Sequence, residues 1–514
     1  MISERGISVL ARIFSGNAEK HPDRAAIWNE GREITYGELL KFVNRLSHVF
    51  LDIGVKHRDH IGILLENSIE FAAILLAASN VGAAIAPLSP NLPRDAIKRA
   101  FRAADVKHII AGGSFFAEAG DIRGEAGGAL LRVGEGTAGI SLSHMLNGAD
   151  DGYIPPQLVT GDEPYILTMT SGSTGSPKPI VFTQRTKFDR VVSAAEIYGI
   201  SGGDIVMAAA PLYHSLAERL VLIPLLLGGS SVLLSRFTPQ IWLDAVRERE
   251  VTFTIAVSSQ LAQVAQILPE GGSPCISSLR CVASSSAPMP PEVKSELLSK
   301  LRCEVHENYG ASEVSFISDL NITRDFRRIR SVGRPIPRVD VRIIKEDGAL
   351  AAAFERGEIQ CRTPFLFGGY YKQPERTSEA MRDGYFRTGD IGYMDEDGFL
   401  YYAGRVKEMI VTGAIKVYPS DIEEAVMSLG AVKECAAFGL PDGRLGEVAA
   451  IAVVPQSPGC VSLKELKFHC LDKLADYQIP RKYFIVDELP RNAMNKVMRR
   501  ELASIFSERP AEEG

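Results

Sequence analysis

The chain has 514 residues, 46% hydrophobic and 23% charged, with a formal net charge of −6. This is an ordinary globular composition in a chain too long for one core, so a large region of subdomains plus a smaller domain is expected. The acidic balance and the lack of a long Lys/Arg run exclude nucleic acid as an expected partner.

Met1-Ile-Ser-Glu-Arg-Gly-Ile-Ser carries both charge signs and no apolar core, so no export is implied. The most apolar stretch, residues 71–88, is interrupted by Ser79, Asn80 and Gly82 and follows Glu66 and Glu70. A buried helix and then a buried strand are expected there, not a transmembrane segment. Apolar runs at 59–65, 205–209 and 231–234 each precede a helix-length segment, at 68–79, 215–227 and 239–249. This alternation predicts α/β architecture with largely parallel sheets. Residues 112–139, rich in Gly and Ala, read as loops between sheet elements. Beyond about residue 339, short runs at 341–344, 357–361 and 398–402 predict a β-rich subdomain reaching residue 406. A small α+β unit then begins, with a helix at 420–428 capped by Ser420 and Asp421, strands at 434–439 and 447–454, and a helix at 462–473. The seven cysteines are scattered, odd in number and without a C-x-x-C pair, which favours reduced thiols in a cytoplasmic protein over disulfides or a zinc site.

Directly after the apolar run Tyr165-Ile-Leu-Thr-Met169 stands Thr170-Ser-Gly-Ser-Thr-Gly-Ser-Pro-Lys178. Glycines let backbone N–H groups approach an anion, hydroxyls add donors, and lysine adds a point charge, so the segment reads as a phosphate-gripping loop or else a flexible one. It is not a Walker A loop, since Pro177 precedes Lys178 and Pro179 follows it. Asn308-Tyr-Gly-Ala-Ser-Glu313 offers an aromatic for stacking a base, a glycine and a carboxylate suited to magnesium; a turn with a helix cap is the plain alternative. Asp390, ending Tyr385-Phe-Arg-Thr-Gly-Asp390, is either a ribose acceptor or a solvated turn acid. Arg405 and Lys407 lie in Gly404-Arg-Val-Lys-Glu-Met-Ile-Val-Thr-Gly413, where the architecture changes. Lys496 closes the turn Leu489-Pro-Arg-Asn-Ala-Met-Asn-Lys496.

In order and spacing these five segments resemble the signatures of the adenylate-forming superfamily, which includes acyl-CoA synthetases, peptide-synthetase adenylation domains and luciferases. The likeness runs from the opening strand pair and helix, from Ala26 to Leu39, through Lys496. It implies an α/β N-terminal ATP- and acyl-binding domain over 1–406, with a β-rich subdomain, and a small mobile α+β C-terminal domain over 407–514, hinged at Lys407. It further implies that Thr170, Ser171, Gly172, Ser173, Thr174, Gly175 and Lys178 hold the β- and γ-phosphates. Tyr309, within Asn308 to Gly310, stacks on adenine beside the turn holding Ala287; Ser312 lies near the α-phosphate, and Glu313 binds Mg2+. Asp390 holds the ribose with Arg405 beside it. Lys496 meets the carboxylate and α-phosphate, and Gly413 lines a thiol channel.

The implied reaction is ATP-dependent activation of a carboxylic acid to an acyl adenylate, followed by transfer to coenzyme A. A carrier protein as acceptor, an amino-acid- or aryl-acid-adenylating enzyme, and a non-catalytic nucleotide-binding relative are the alternatives. By the same resemblance Tyr213, His214, Ala217, Glu218 and Arg219 border the acyl pocket. His214 either gates the substrate or caps the next helix. His214 and Glu218, four apart, either form a local pair or place a charge toward a polar acyl group. The helix at 220–227 reads as core. Departures from the family pattern are Pro179, the serine-rich turn at 284–288, Ala414 and Asn495.

Overall fold

The structure, a computed structural model, describes residues 9–115, 127–135, 139–152, 161–171, 177–269, 271, 276–413, 415–491 and 497–507. Contacts divide the chain into two compact units: Met1–Asp340 with Arg362–Gly384, and Val341–Cys361 with Tyr385–Gly514.

The first unit contains two helix-flanked sheets. One has nine strands, in the order Arg334–Pro335, Ser315–Asn321, Glu304–Ala311, Cys281–Ser285, Phe253–Val257, Ile205–Ala208, Ser230–Leu233, Ala25–Asn29 and Arg32–Thr35. From Glu304–Ala311 to Ala25–Asn29 all neighbours run parallel. The other has seven strands, in the order Ile140–Ser141, Leu130–Val133, Val106–Gly112, His60–Leu64, Ala84–Pro87, Pro164–Ser171 and Pro177–Thr183, parallel except for its last pair. Strands covered by helices on both faces need apolar residues throughout, which is why they read as continuous runs.

The opening strand pair leads into the helix Tyr36–Asp52, started by a capping box in which Thr35 and Glu38 exchange bonds. The apolar stretch from residue 71 is a helix, Ile69–Val81, capped by Ser68 and ended by left-handed Gly82, and then the strand Ala84–Pro87. Both elements are buried on every side, as expected. Among the described residues no helix is long and apolar enough to cross a membrane. Within 112–139 the loop expectation fails at Leu130–Val133, a strand whose Leu130 and Leu131 are buried beside Val106–Gly112. Four apolar-edged residues between glycines were too short a signal to separate from loop.

The second unit holds a small antiparallel sheet, in which Gly357–Arg362 pairs with Tyr385–Met394 and that strand with Leu400–Arg405. A further sheet is built on the long hairpin of Val432–Asp442 and Gly446–Pro455 and carries the helices Pro419–Met427 and Leu463–Lys473. Ser420 and Asp421 do not cap the first of these helices. Tyr418 occupies the cap position without a side-chain bond, while Ser420 Oγ donates to the Ala403 carbonyl (2.7 Å) and Asp421 accepts from both terminal nitrogens of Arg356 (2.8 and 2.9 Å). Pro419, which suits the first helical position, starts the helix instead. The units group residues by sheet partnership.

Candidate active site

In parallel α/β sheets ligands gather at the carboxyl ends of the strands. The strands Cys281–Ser285, Glu304–Ala311 and Ile205–Ala208 end at Ser286-Ala287, at Ser312-Glu313 and before Tyr213-His214, so one edge of the nine-stranded sheet carries three of the segments that hold sequence candidates. Ser286 is left-handed with φ of 77°. The turn therefore asks for a glycine-like backbone and receives a serine, which relates it physically to the glycine-rich pattern it replaces.

Pro164–Ser171 delivers Thr170 and Ser171 and pairs antiparallel with Pro177–Thr183, Thr170 opposite Lys178. Lys178 is buried. Gly172, Ser173, Thr174 and Gly175 lie outside the described residues, as do Lys496, Asn495 and Ala414.

A bulge interrupts pairing between Tyr309 and Gly310. A Cβ on Gly310 would lie 2.0 Å from the Ser315 carbonyl oxygen, so glycine is required by close backbone approach. Tyr309 is buried. The Asn308 amide donates to the Tyr198 hydroxyl and to Asp319 Oδ1 (3.2 Å), internal bonds that the sequence did not indicate. Ser312 is exposed and Glu313 half-buried.

The backbone under Glu313 is held by Arg190, 2% exposed. Its guanidinium donates to the carbonyls of Ser312 (3.0 Å), Glu313 (3.1 Å) and Phe365 (2.8 Å), and Phe367 N donates to the Glu313 carbonyl at 2.7 Å. Tyr370 Oη donates to Glu313 Oε1 at 2.8 Å. Burial, reinforced by the Glu313 charge, raises the Tyr370 pKa, so the phenol stays a donor.

His214 stands at the cap position of the helix Ser215–Leu227 but makes no side-chain cap bond; its ring meets Tyr213 edge-on at 4.7 Å. Burial pushes its pKa down to about 4, so the imidazole is neutral near pH 7. The expected His214–Glu218 pair does not form. Glu218, 1% exposed, accepts from Lys187 Nζ at 2.7 Å, because the helix Gln184–Tyr198 packs against it and supplies a cation. Burial pushes Lys187 down to about 8, with Arg190 and Arg219 acting in the same direction and Glu218 opposing. Arg219 donates to Ser315 Oγ at 3.0 Å and lies over the Phe316 ring, and Ala217 is fully buried. Residues 220–223 are also fully buried, in agreement with core.

In the second unit Asp390, 3% exposed, faces Arg405 across paired strands, Nε to Oδ1 at 3.0 Å. Lys407 is exposed in the single turn Val406–Glu408. Gly413 ends a short strand with φ of 54°, its N–H donating to the Leu445 carbonyl at 2.9 Å. Arg491 and Val497 form a bridge, and Met498 N donates to the Pro490 carbonyl (2.8 Å). Three residues beyond Lys496, Arg499 binds Glu423 (2.9 Å) and Glu408 (3.1 Å).

Glu313 offers a hard carboxylate donor. Among the described residues no three His, Cys, Asp or Glu side chains converge as a protein-only metal cage. One carboxylate supplemented by phosphate oxygens and water is the set that magnesium takes with nucleotides, and the donor fits it. Lys187, Arg190 and Tyr370 were missed in the sequence. The pair Gly368-Gly369 before Tyr370 was a usable turn signal, whereas nothing separates Lys187 and Arg190 from charges on a solvated helix face.

Two helix-flanked sheets in the first unit and a β-rich, α+β second unit are the architecture of the adenylate-forming class. Residues 14–371 match the AMP-binding enzyme family and residues 421–496 its C-terminal domain. The chain belongs to the AMP-binding enzymes. It is 30% identical over 488 residues to a 2-succinylbenzoate–CoA ligase of Bacillus cereus (strain Q1), covering 95% of this chain and 97% of that one. ATP-bound MatB from Rhodopseudomonas palustris superposes with a TM-score of 0.90 at 26% identity, over 97% of this chain and 99% of that one. The o-succinylbenzoate CoA synthetase of Bacillus subtilis, bound to its acyl-adenylate intermediate, superposes with a TM-score of 0.86 at 27% identity, over 98% and 99%.

Proposed function

We propose that the chain is an AMP-forming acid–thiol ligase that activates a carboxylic acid with ATP and passes the acyl group to coenzyme A. The observation that carries this reading is the alignment of a CoA ligase along 95% of the chain, through both family regions. A carboxylate oxygen bonds to the α-phosphorus of ATP while the bond to the β-phosphate oxygen breaks and pyrophosphate leaves. The thiol sulfur then bonds to the acyl carbon, AMP departs, and the thiol proton is lost to solvent.

Bringing anions together makes positioning and charge neutralisation the main catalytic terms. Lys178 and the loop from Thr170 to Gly175 hold the departing pyrophosphate, Tyr309 supports adenine, Ser312 lies by the α-phosphate, and Asp390 with Arg405 holds the ribose. Glu313 would hold magnesium, which supplies positive charge to the phosphates when bound. Lys496 neutralises the carboxylate and α-phosphate in the first half-reaction. Lys407 is the pivot between 1–406 and 407–514, and Gly413 borders the thiol path. His214, neutral and beside Tyr213, borders the acid. Asn308, Glu218 and Arg219 support these groups through the internal bonds described above. The six described cysteines are free, which fits a cytoplasmic setting.

Replacing Lys496 with Ala should reduce acid-dependent pyrophosphate release at least ~100-fold while sparing thioester formation from supplied acyl adenylate. Normal release by that variant would remove Lys496 from the mechanism. A panel of aliphatic, aryl and dicarboxylic acids including 2-succinylbenzoate, assayed with and without CoA, identifies the acid. Adenylate formation without turnover on CoA would identify a carrier protein as the acceptor, and preference for amino acids would sink the simple-acid reading.

A further inference from the structure

Tyr370 joins two parts of the candidate site that are far apart in the chain. Its backbone segment is bonded along the strand Pro177–Thr183, which begins beside Lys178. Tyr371 N donates to the Pro179 carbonyl (2.9 Å), Val181 N to the Gly369 carbonyl (3.0 Å), Gly368 N to the Val181 carbonyl (2.8 Å), and Tyr370 itself bridges to Ile180. Its backbone N–H is further fixed by Thr377 Oγ1 at 3.0 Å. Its ring packs edge-on against Phe367 at 4.9 Å, with the Arg376 guanidinium 5.6 Å from its centre. The direction of the phenol is therefore set by the strand that follows the phosphate loop. Its hydroxyl ends on Glu313 Oε1, 2.8 Å away.

We infer that Tyr370 is a positioning residue for metal-bound nucleotide: it engages Oε1 of Glu313, orients the carboxylate, and presents the second oxygen to the cation that accompanies the phosphates. The inference rests on Glu313 being the magnesium ligand. A carboxylate on a half-buried turn can rotate about its side-chain bonds, and a fixed donor removes that freedom before the cation arrives. Partners of this kind typically contribute 10–100-fold in metal affinity.

The test uses the full chain and α,β-methylene-ATP, which cannot transfer its adenylyl group. Binding of this analogue is measured by calorimetry without metal, and of its Mn2+ complex by water-proton relaxation. Tyr370→Phe keeps the ring and its packing. It should weaken the Mn2+ complex about 10-fold, leave metal-free binding and the melting midpoint unchanged, and raise the Mg2+ needed for half-maximal pyrophosphate release. Para-aminophenylalanine at position 370, which restores a donor, should recover the affinity. Unchanged Mn2+-complex binding in Tyr370→Phe overturns the proposal, as does equal loss of metal-bound and metal-free binding. Glu313→Gln separates the two levels. If Glu313→Gln keeps the metal preference, the metal role of Glu313 is wrong. If it loses that preference and Tyr370→Phe then causes a further loss in the Glu313→Gln background, Tyr370 does not act through Glu313.

Discussion

His214 shows how a single side chain reports its surroundings. Burial lowers its pKa from 6.5 to about 4, so in the folded chain the neutral ring is favoured, while the unfolded chain takes up a proton near pH 6.5. Between those values the unfolded state binds more protons, and stability rises with pH. The contribution is complete above pH 6.5 and is lost as pH falls toward 4. Wild type should thus lose on the order of 2–3 kcal/mol more than His214→Phe across that interval, measured as the difference in denaturant midpoints at each pH. Parallel pH profiles would show that the ring titrates normally in the fold. The family resemblance pointed to His214 as a site candidate. Neither it nor the residue type could reveal the neutral state, which comes from burial of the ring in the fold.

At the scale of elements, the helices Gln184–Tyr198 and Ser215–Leu227 meet through a buried pair, Lys187 and Glu218, 3% and 1% exposed. Breaking such a pair leaves an uncompensated charge in a poorly solvated interior. Glu218→Ala should cost about 3–5 kcal/mol, and the double variant Lys187→Met with Glu218→Leu should recover most of it. Equal stabilities of Glu218→Ala and wild type in urea denaturation would refute the buried-pair account. Alternation of apolar runs and helical segments was legible because each run matches one buried strand. The partner of Glu218 was not, because a charge four residues away on the same helix is the nearest candidate in sequence, whereas the actual partner comes from a neighbouring helix. The bonds of Asn308 to Tyr198 and Asp319 were hidden for the same reason, since both partners lie outside its motif. Gly310 was legible as a glycine position, but the Ser315 carbonyl that demands it was not.

For the whole molecule, the proposed pivot at Lys407 has contacts on both sides of it within the second unit. Arg356 binds Asp421, Ser420 Oγ binds the Ala403 carbonyl, and Lys416 pairs with Glu346. Rotation of 407–514 about residue 407 would exchange these bonds for others. Proline fixes one backbone dihedral and so restricts a pivot. Lys407→Pro should keep acyl-adenylate formation within about 3-fold of wild type but slow thioester formation on the order of 10-fold or more, read in separate half-reaction assays. Equal effects on both half-reactions would argue against rotation there. The boundary proposed at Lys407 comes from the motif order in the sequence, since each motif is local. The three-dimensional grouping was hidden, because strand pairing between Gly357–Arg362 and Tyr385–Met394 links segments separated by part of the first unit.

That interleaving bears on how the chain is made. The chain passes between the two units at 340/341, 361/362 and 384/385. Residues 341–361 therefore leave the ribosome before the segment 362–384 that completes the first unit, and before the strands Tyr385–Met394 and Leu400–Arg405 that complete their own sheet. Strict domain-by-domain folding during synthesis is unavailable to this topology, and the strand Gly357–Arg362, which adjoins the already translated Asp340–Ile344, has to wait for Tyr385–Met394 on its other side.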